Sequence, residues 1–521
     1  MSQEWLQSAI QHHQAGRLQE AEALYQQILA QEPNHADALH RLGLVLLQTG
    51  RRQEARALLG RAIQIDPSCA QYHCNLGFLL AESGEAEQAI DAFHRALQLR
   101  PDLAEACNNL GIVLLSVGRV DEAIAVLQRA VTLQPNYANA HHNLGAALYT
   151  KGDLDGSLSA FAKAAQLQPD SPDTLNELGR LLRSKGDLEG AAATFRRAIA
   201  LAPDLARAHC NLGLLLLLKG EYREGWKEYE WWQRLQGGKL LTALAQLRGR
   251  MWDGSELRGR RILLMPMGWG LGDQIQLVRY VPLVQRRGGK IILQCDPPLR
   301  RLFQRLDGLH HLITSDQPAP EYDVHCPLID LPRVFDTNVD TIPAAQQYLH
   351  ADPSLIESWR NRLTDAGGRL KVGLAWAGRA DYCEDRTRTI ALTRFTPLLQ
   401  VPDIWFCSLQ KGKAAEQIQT LPADLRPLDW TADLNDLADT AALIHNLDLI
   451  IAVDTAVAHL AGALGKPVWM PIPFTPDWRW MLNREDTPWY PTMRLFRQRA
   501  MGDWETPIHQ IEQSLRSRVR S

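Results

Sequence analysis

Apolar and small positions in the first 235 residues recur with a fixed step of 34. Pro33, Pro67, Pro101, Pro135, Pro169 and Pro203 keep that step. So do the Leu-Gly pairs that begin at Leu42, Leu76, Leu110, Leu144, Leu178 and Leu212. Gly50, Gly84, Gly118, Gly152, Gly186 and Gly220 hold the same register. Small residues recur at Ala21, Ala55, Ala89, Ala123, Ser157 and Ala191, and again at Ala62, Ala96, Ala130, Ala164 and Ala198. A 34-residue period with these marks is the tetratricopeptide (TPR) pattern. Small residues let paired helices approach, glycine ends the first helix of a pair and proline closes the second. Each pair buries its faces only against neighbours, so the pattern predicts an all-α TPR superhelical solenoid with a concave groove. Six to seven repeats are expected over residues 1–235. Asn75, Asn109, Asn143 and Asn211 sit just before a Leu-Gly pair, where the first helix of each repeat fronts the groove. An amide donates and accepts, so such a ladder suits an extended peptide backbone. The same residues equally suit stitching between adjacent helices.

The periodicity stops after "EYREGWKEYEWWQRL", where Gly225 replaces the usual alanine. Of the 15 tryptophans, only Trp5 precedes residue 220. Short apolar runs now alternate with helical stretches. "RILLMP", "KIILQC", "HHLIT" and "YDVHCPL" read as strands, with helices at "QIQLVRYVPLVQRRGG" and "PLRRLFQRL". After a connection at "TIPAAQQYLHADP", a second set follows: "KVGLAWAG", "IWFCSLQ", the helix "DLADTAALIHNL", then "LIIAV", the helix in "DTAVAHLAGALGKP", and "PVWMPIP". This order implies two parallel sheets of βαβ units. The expected domains are residues 1–235, 236–345 and 346–521, the last closing in a C-terminal helix.

Composition changes this picture little. The chain is 521 residues long, 45% hydrophobic and 22% charged, as in ordinary globular proteins. A net charge of -3 gives no electrostatic case for nucleic acid. Eight scattered cysteines without a C-x-x-C pair indicate reduced thiols and hence a cytoplasmic location. The longest aliphatic run, "LGLLLLL", is far short of the ~20 residues that span a bilayer.

Several chemistries can be set aside. "GWGLGD" half-imitates the dinucleotide fingerprint, but Asp273 would place a carboxylate against the pyrophosphate, which disfavours NAD. No G-x-x-x-x-G-K-[ST] occurs. "GLAWAG" has Trp376 where a nucleophile elbow needs serine. Asp153 and Asp155, the only Asp-x-Asp, fall in a TPR turn and read as a helix cap. No paired acids suggest a metal–diphosphate clamp, so no metal ligand is assigned. Asp273 reads either as a helix cap or as a general base beside Gly270 and Gly272, whose lack of side chains lets substrate approach the backbone. In "VDTAVAHLAGALGKP" a strand ends at Asp454 and a helix begins. Thr455 is suited to cap it, and Ala456, Val457 and Ala458 form a first turn whose free N–H groups favour an anion. His459 is placed to add a donor. A capped helix with a core histidine is the other reading.

"DTAVAHLAGALGKPV" closely resembles the nucleotide-sugar signature of the heptosyltransferase-like glycosyltransferases (family 9-like). "GLGDQIQLVRYVPLV", "HCPLIDLP", "GLAWAG", "RTRTIAL", "SLQKG", "LADTAALI", "DWRWML" and "DTPWYPTMRLFRQ" resemble the version of that family fused to TPR arrays. The likeness covers about residues 220–515 in order. It implies a GT-B fold of two facing Rossmann-like domains after the solenoid. The architecture is similar to that of O-GlcNAc transferase, which glycosylates proteins. By position, the resemblance makes Asp273 the catalytic base. It assigns Asp454, Thr455, Ala456, Val457 and His459 to the donor diphosphate and sugar, Arg388 to a phosphate contact, and Gln410 and Lys411 to the nucleotide pocket. It implies an inverting reaction without a divalent ion or other cofactor, the nucleotide-sugar being a substrate. Two departures stand out. Gly268 and Trp269 replace the usual Glu-Gln before Gly-Leu-Gly-Asp, and Arg379 and Tyr382 lie where relatives carry Gly-Asn and a histidine. They point to a different acceptor or to lower activity. The expected function is therefore transfer of a sugar from a nucleotide-diphosphate donor, with a protein or peptide in the TPR groove as acceptor. The alternative is a TPR scaffold with a degenerate transferase region.

Overall fold

The computed structural model describes residues 2–235, 247, 249–267, 270–364, 368–378 and 385–520. The departures at Gly268, Trp269, Arg379 and Tyr382 lie outside the described residues, as does the expected boundary at residue 236.

Fourteen helices open the chain, from α1 (Ser2–Gln14) and α2 (Leu18–Gln31) to α13 (Ala206–Lys219) and α14 (Tyr222–Tyr229); the first ten pack as five antiparallel pairs, and α13 packs with α14. Gly16, Gly50, Gly84, Gly118, Gly152, Gly186 and Gly220 all take positive φ, between 72° and 94°, in the turn within each pair. Gly16 extends the marker by one pair beyond those first read. The recurring small positions Ala21, Ala55, Ala89, Ala123, Ser157 and Ala191 are 0% exposed, because they lie where two helices touch. Ser157 keeps its hydroxyl satisfied by donating to Gly145 O at 2.7 Å. The Leu-Gly glycine makes room for a side chain 16 residues on. A Cβ on Gly111 would lie 2.5 Å from Leu127, and one on Gly145 2.7 Å from Phe161. In the last pair, Gly213 meets backbone instead, since its Cβ would lie 2.6 Å from Tyr229 N. That closer approach explains Gly225, whose Cβ would press on Leu217 at 2.9 Å.

Two parallel sheets follow. The first has the order β1 (Arg250–Met251), β5 (Val324–Pro327), β2 (Arg261–Met265), β3 (Lys290–Cys295), β4 (Leu309–Thr314). The second has the order β11 (Met493–Arg497), β10 (Val468–Ile472), β9 (Leu449–Ala452), β6 (Leu370–Ala375), β7 (Ile404–Ser408), β8 (Leu428–Asp429). β5, β9 and β10 are buried at every position, which is why they read as unbroken apolar runs. The strand runs in the sequence predict eight of these strands. β11 falls in "TMRLFRQ", where charged residues hide the pattern, and β1 and β8 have two residues each.

The chain divides into two compact units, Met1–Leu182 with Ala200–Pro203, and Arg183–Ile199 with Asp204–Ser521. In the second unit one core runs through the last helix pair and both sheets, taking in Tyr222, Trp226, Trp232, Tyr280, Trp478 and Trp489. Trp226 Nε1 donates to Thr337 O at 2.9 Å, and Trp489 Nε1 to the Tyr222 hydroxyl at 3.0 Å. Trp226 and Trp489 thus find partners for their N–H groups inside a large core. Among the described residues, no helix is long and apolar enough to cross a membrane.

Candidate functional site

The second sheet runs outward from β6 to β8, then restarts at β9 and runs the other way. The crevice of such a sheet opens at the carboxyl ends of the strands flanking this switch, here β6 and β9. Val453 N donates to Ala375 O at 3.0 Å and joins those two ends. After β9 and Val453 come Asp454 and Thr455, then helix α17 (Ala456–Ala463); α15 (Leu271–Leu277) and α16 (Leu437–His445) precede it in the α/β region, and α18 (Glu505–Arg520) follows.

Among the described residues no acceptor meets the N–H groups of Ala456 and Val457. Thr455 occupies the N-cap position, but its hydroxyl makes no capping bond, contrary to the expectation from sequence. The backbone there (φ -145°, ψ 168°) is extended, and Oγ1 is buried without a partner. His459, 5% exposed, lies one turn into α17. Its Nδ1 is 2.7 Å from the Tyr490 hydroxyl, and its Nε2 is 3.6 Å from Asp454 Oδ1. Both ring nitrogens thus face protein groups, as in a core histidine.

Asp454 accepts from Trp480 Nε1 at 2.8 Å. Burial alone would raise its pKa. The His459 ring, the Arg388 charge and the Trp480 N–H outweigh that and hold the carboxyl below the usual carboxylate range. Asp454 is therefore a fixed anion. Arg388, in the short helix Asp385–Arg388, is close enough to contribute to its field.

The first sheet supplies the facing element. β2 leads through Gly270 into α15. A Cβ on Gly272 would lie 2.8 Å from His459 Cδ2, so the two helices meet where only glycine fits. Asp273, one residue on, has its side chain 21% exposed. Oδ2 accepts from Gly270 N at 3.1 Å, the cap geometry, and Oδ1 is paired with the Arg479 guanidinium. Arg479 also donates to Asp477 at 2.8 Å and to the Gln276 side chain. Burial pushes the Asp477 carboxyl up, and Arg479 opposes that rise.

The structure thus brings Gly270, Gly272, Asp273, Asp454, Thr455, Ala456, Val457 and His459 together, with Arg388 beside them. Gln410 and Lys411 are committed elsewhere. Gln410 Oε1 accepts from Trp376 N at 3.0 Å and Ala377 N at 2.8 Å, and its Nε2 donates to Lys411 O at 3.0 Å. It ties the ends of β6 and β7. The Lys411 ammonium donates to Leu434 O. The residues missed from sequence are Arg479, Trp480 and Tyr490. "DWRW" was legible as a family-like motif, but an arginine bracketed by tryptophans gave no hint of which acids it would reach.

In the array, two of the asparagines, Asn75 and Asn143, are stitched between repeats. Asn75 Nδ2 is 2.6 Å from His40 Nε2, and Asn143 Nδ2 donates to Asn108 Oδ1 at 2.8 Å, each reaching 35 residues back. Asn109 Oδ1 accepts from Asn108 at 3.1 Å, and Asn211 also has a partner.

The model of the cilia and flagella-associated protein 70 C-terminal domain matches residues 1–212, and that of glycosyltransferase family 9 (heptosyltransferase) matches residues 399–469, a segment that contains Asp454 to His459. The chain thus carries a TPR-like N-terminal region followed by a segment similar to glycosyltransferase family 9. Protein FlbA of Caulobacter vibrioides is 29% identical over 315 residues, which is 56% of this chain and 52% of FlbA. The chain therefore spans about half the length of that curated relative. Among solved structures, YrrB, described as a TPR protein with an unusual peptide-binding site, is 26% identical over 35% of this chain and 95% of its own, with a TM-score of 0.31. PilF of Pseudomonas aeruginosa is 27% identical over 40% of this chain and 96% of its own, with a TM-score of 0.36.

Proposed function

We propose that the two sheets form a GT-B pair and that the chain transfers a sugar from a nucleotide-diphosphate donor to an acceptor, a protein or peptide held by the TPR groove. The observation that carries this reading is the contact of Gly272 with His459, which brings the Gly-Asp loop of one sheet against the N-terminus of α17 in the other. The donor diphosphate sits on the N–H groups of Ala456 and Val457 and the unpartnered Thr455 hydroxyl, with Arg388 adding positive charge. Asp454 anchors this end of the site as a fixed anion held by Trp480. Asp273 takes the proton of the acceptor hydroxyl through a lone pair left free by Gly270 and Arg479. The acceptor oxygen bonds to the anomeric carbon as that carbon's bond to the diphosphate breaks, with inversion. The leaving diphosphate's charge goes to the helix N-terminus and Arg388. In keeping with the family resemblance, this scheme uses no metal or other cofactor. A cytoplasmic location fits the reduced, buried thiols.

A second reading is favoured by the commitments of Asp273, Gln410 and Lys411 to protein groups. In it the α/β region binds a nucleotide and the chain acts as a scaffold. A panel of UDP-, GDP- and ADP-sugars, scored by nucleoside diphosphate release and by thermal shift, separates the two. Release with one donor, abolished in Asp273→Asn with its thermal shift retained, supports transfer. A thermal shift without release in any condition supports the scaffold. No shift and no release with every donor rejects both.

A further inference from the structure

Away from the crevice, a cavity of about 950 Å³ lies between β10, β11, the segment 483–485 and α18. Its size is in the range of small-molecule sites. Four arginines, Arg484, Arg494, Arg497 and Arg518, line it, with Glu485 as the one lining acid. β11 is the edge strand of its sheet, and Leu495 N bonds Glu485 O at 2.6 Å, so the 483–485 segment covers part of that edge.

The arginines are unequally neutralised. Arg484 holds Asp486 by two bonds, at 2.7 and 2.8 Å. Arg494 meets Glu485 at 3.2 Å, but the two side chains are 47% and 75% exposed, and such a pair adds little. Arg494 Nη1 is also 3.4 Å from Ser514 Oγ in the cavity wall. Arg497 makes no ion pair among the described residues. Its donors go to three neutral carbonyls, those of Arg484 at 2.6 Å, Met481 at 2.8 Å and Trp480. Burial and the neighbouring Arg484 charge push the Arg497 pKa down to about 10. Asp486, already paired with Arg484, offsets only part of that, and a half-buried cation with so little counter-charge gains from an arriving anion.

We infer that this cavity is an anion site for a small phosphate-bearing molecule, bound by Arg494 and Arg497 and separate from the crevice. A guanidinium fork matches phosphate oxygens, and Arg497 retains N–H groups beyond the three it uses. The site has a route to the crevice. Arg497 grips the carbonyl of Trp480, whose indole holds Asp454. An anion on Arg497 would stiffen that loop. The inference does not rest on the transfer reading.

The test is calorimetric titration of the full chain with inorganic pyrophosphate, and separately with citrate, at chloride-matched ionic strength. Arg497→Gln would lose three bonds to loop carbonyls, so the exposed Arg494→Gln carries the test, with His459→Ala as control for the crevice. The expected result is saturable pyrophosphate binding that is weakened at least tenfold in Arg494→Gln and kept in His459→Ala, with citrate weaker. If pyrophosphate also fills the crevice, two binding events appear and Arg494→Gln removes one. Absence of binding overturns the inference, as does equal affinity in Arg494→Gln, binding lost only in His459→Ala, or citrate binding more tightly than pyrophosphate.

Discussion

In the repeat array, the partner of a side chain is set by the period. The Leu-Gly glycine meets a residue 16 positions on, and Asn75 and Asn143 each reach 35 positions back. In the α/β region, partners are set by the way distant loops converge. Arg479 reaches Asp273 across 206 positions and Gln276 across 203. The array therefore has several equivalent joints, and losing one leaves the others. The crevice has one Arg479, which holds three groups at once. Periodic regions spread their stabilisation, and a site concentrates it.

Four substitutions probe that contrast. Arg479→Met should have the largest effect, because it leaves Asp273, Asp477 and Gln276 without their shared donor. A loss of about 3–5 kcal/mol in urea unfolding is expected for the unit that contains the crevice. A loss under 1 kcal/mol would show that the crevice is as redundant as the array.

Asp330→Asn tests the same region through pH. The Asp330 carboxyl, bonded to Trp232 Nε1 at 3.0 Å and Gln233 Nε2 at 3.1 Å, is raised to about 6 by burial. Its folded pKa lies above the unfolded one, so its stabilising contribution is complete below about pH 4 and lost as pH rises through about 6. Asparagine has no such loss. The variant should gain on the parent by roughly 2–3 kcal/mol between pH 4 and pH 8. Parallel stability–pH curves would show that Asp330 does not carry the charge change.

Gly111→Ala drives a Cβ into Leu127 and should cost about 1–3 kcal/mol, read from the thermal unfolding of the array. Asn143→Ala removes one stitch and should cost about 1 kcal/mol. If Asn143→Ala costs as much as Arg479→Met, the stitches are not equivalent joints and the contrast fails.

The array was legible almost completely, because its chemistry repeats. A glycine needed at positive φ once per turn leaves its mark seven times. The strands were legible where both faces are buried, as in β9 and β10, and hidden where an edge strand carries charge, as in β11. The candidate site was half legible. Asp273, Asp454 and His459 lie beside helix starts, which sequence marks with glycine and small residues. Their partners do not. Nothing local tells that Tyr490 turns its hydroxyl to His459, or that Gln410 spends its amide on the N–H groups of Trp376 and Ala377. Thr455 has a residue type that favours capping, yet its hydroxyl makes no bond to the helix start, and its β-region backbone does not account for this, since Asp436 caps its own helix from the same region.

The core shared by the last helix pair and the two sheets bears on how such a protein is inherited. A recombination break after residue 235 would look clean, because the repeats end there. The α/β fragment it released would lose Tyr222, Trp226 and Trp232, leaving the Trp489 indole N–H and the Asp330 carboxyl without those hydrogen bonds and a broad apolar scar. The last repeat travels with the sheets as part of one heritable block. Lineages can lengthen or shorten this array from its beginning far more freely than from its end.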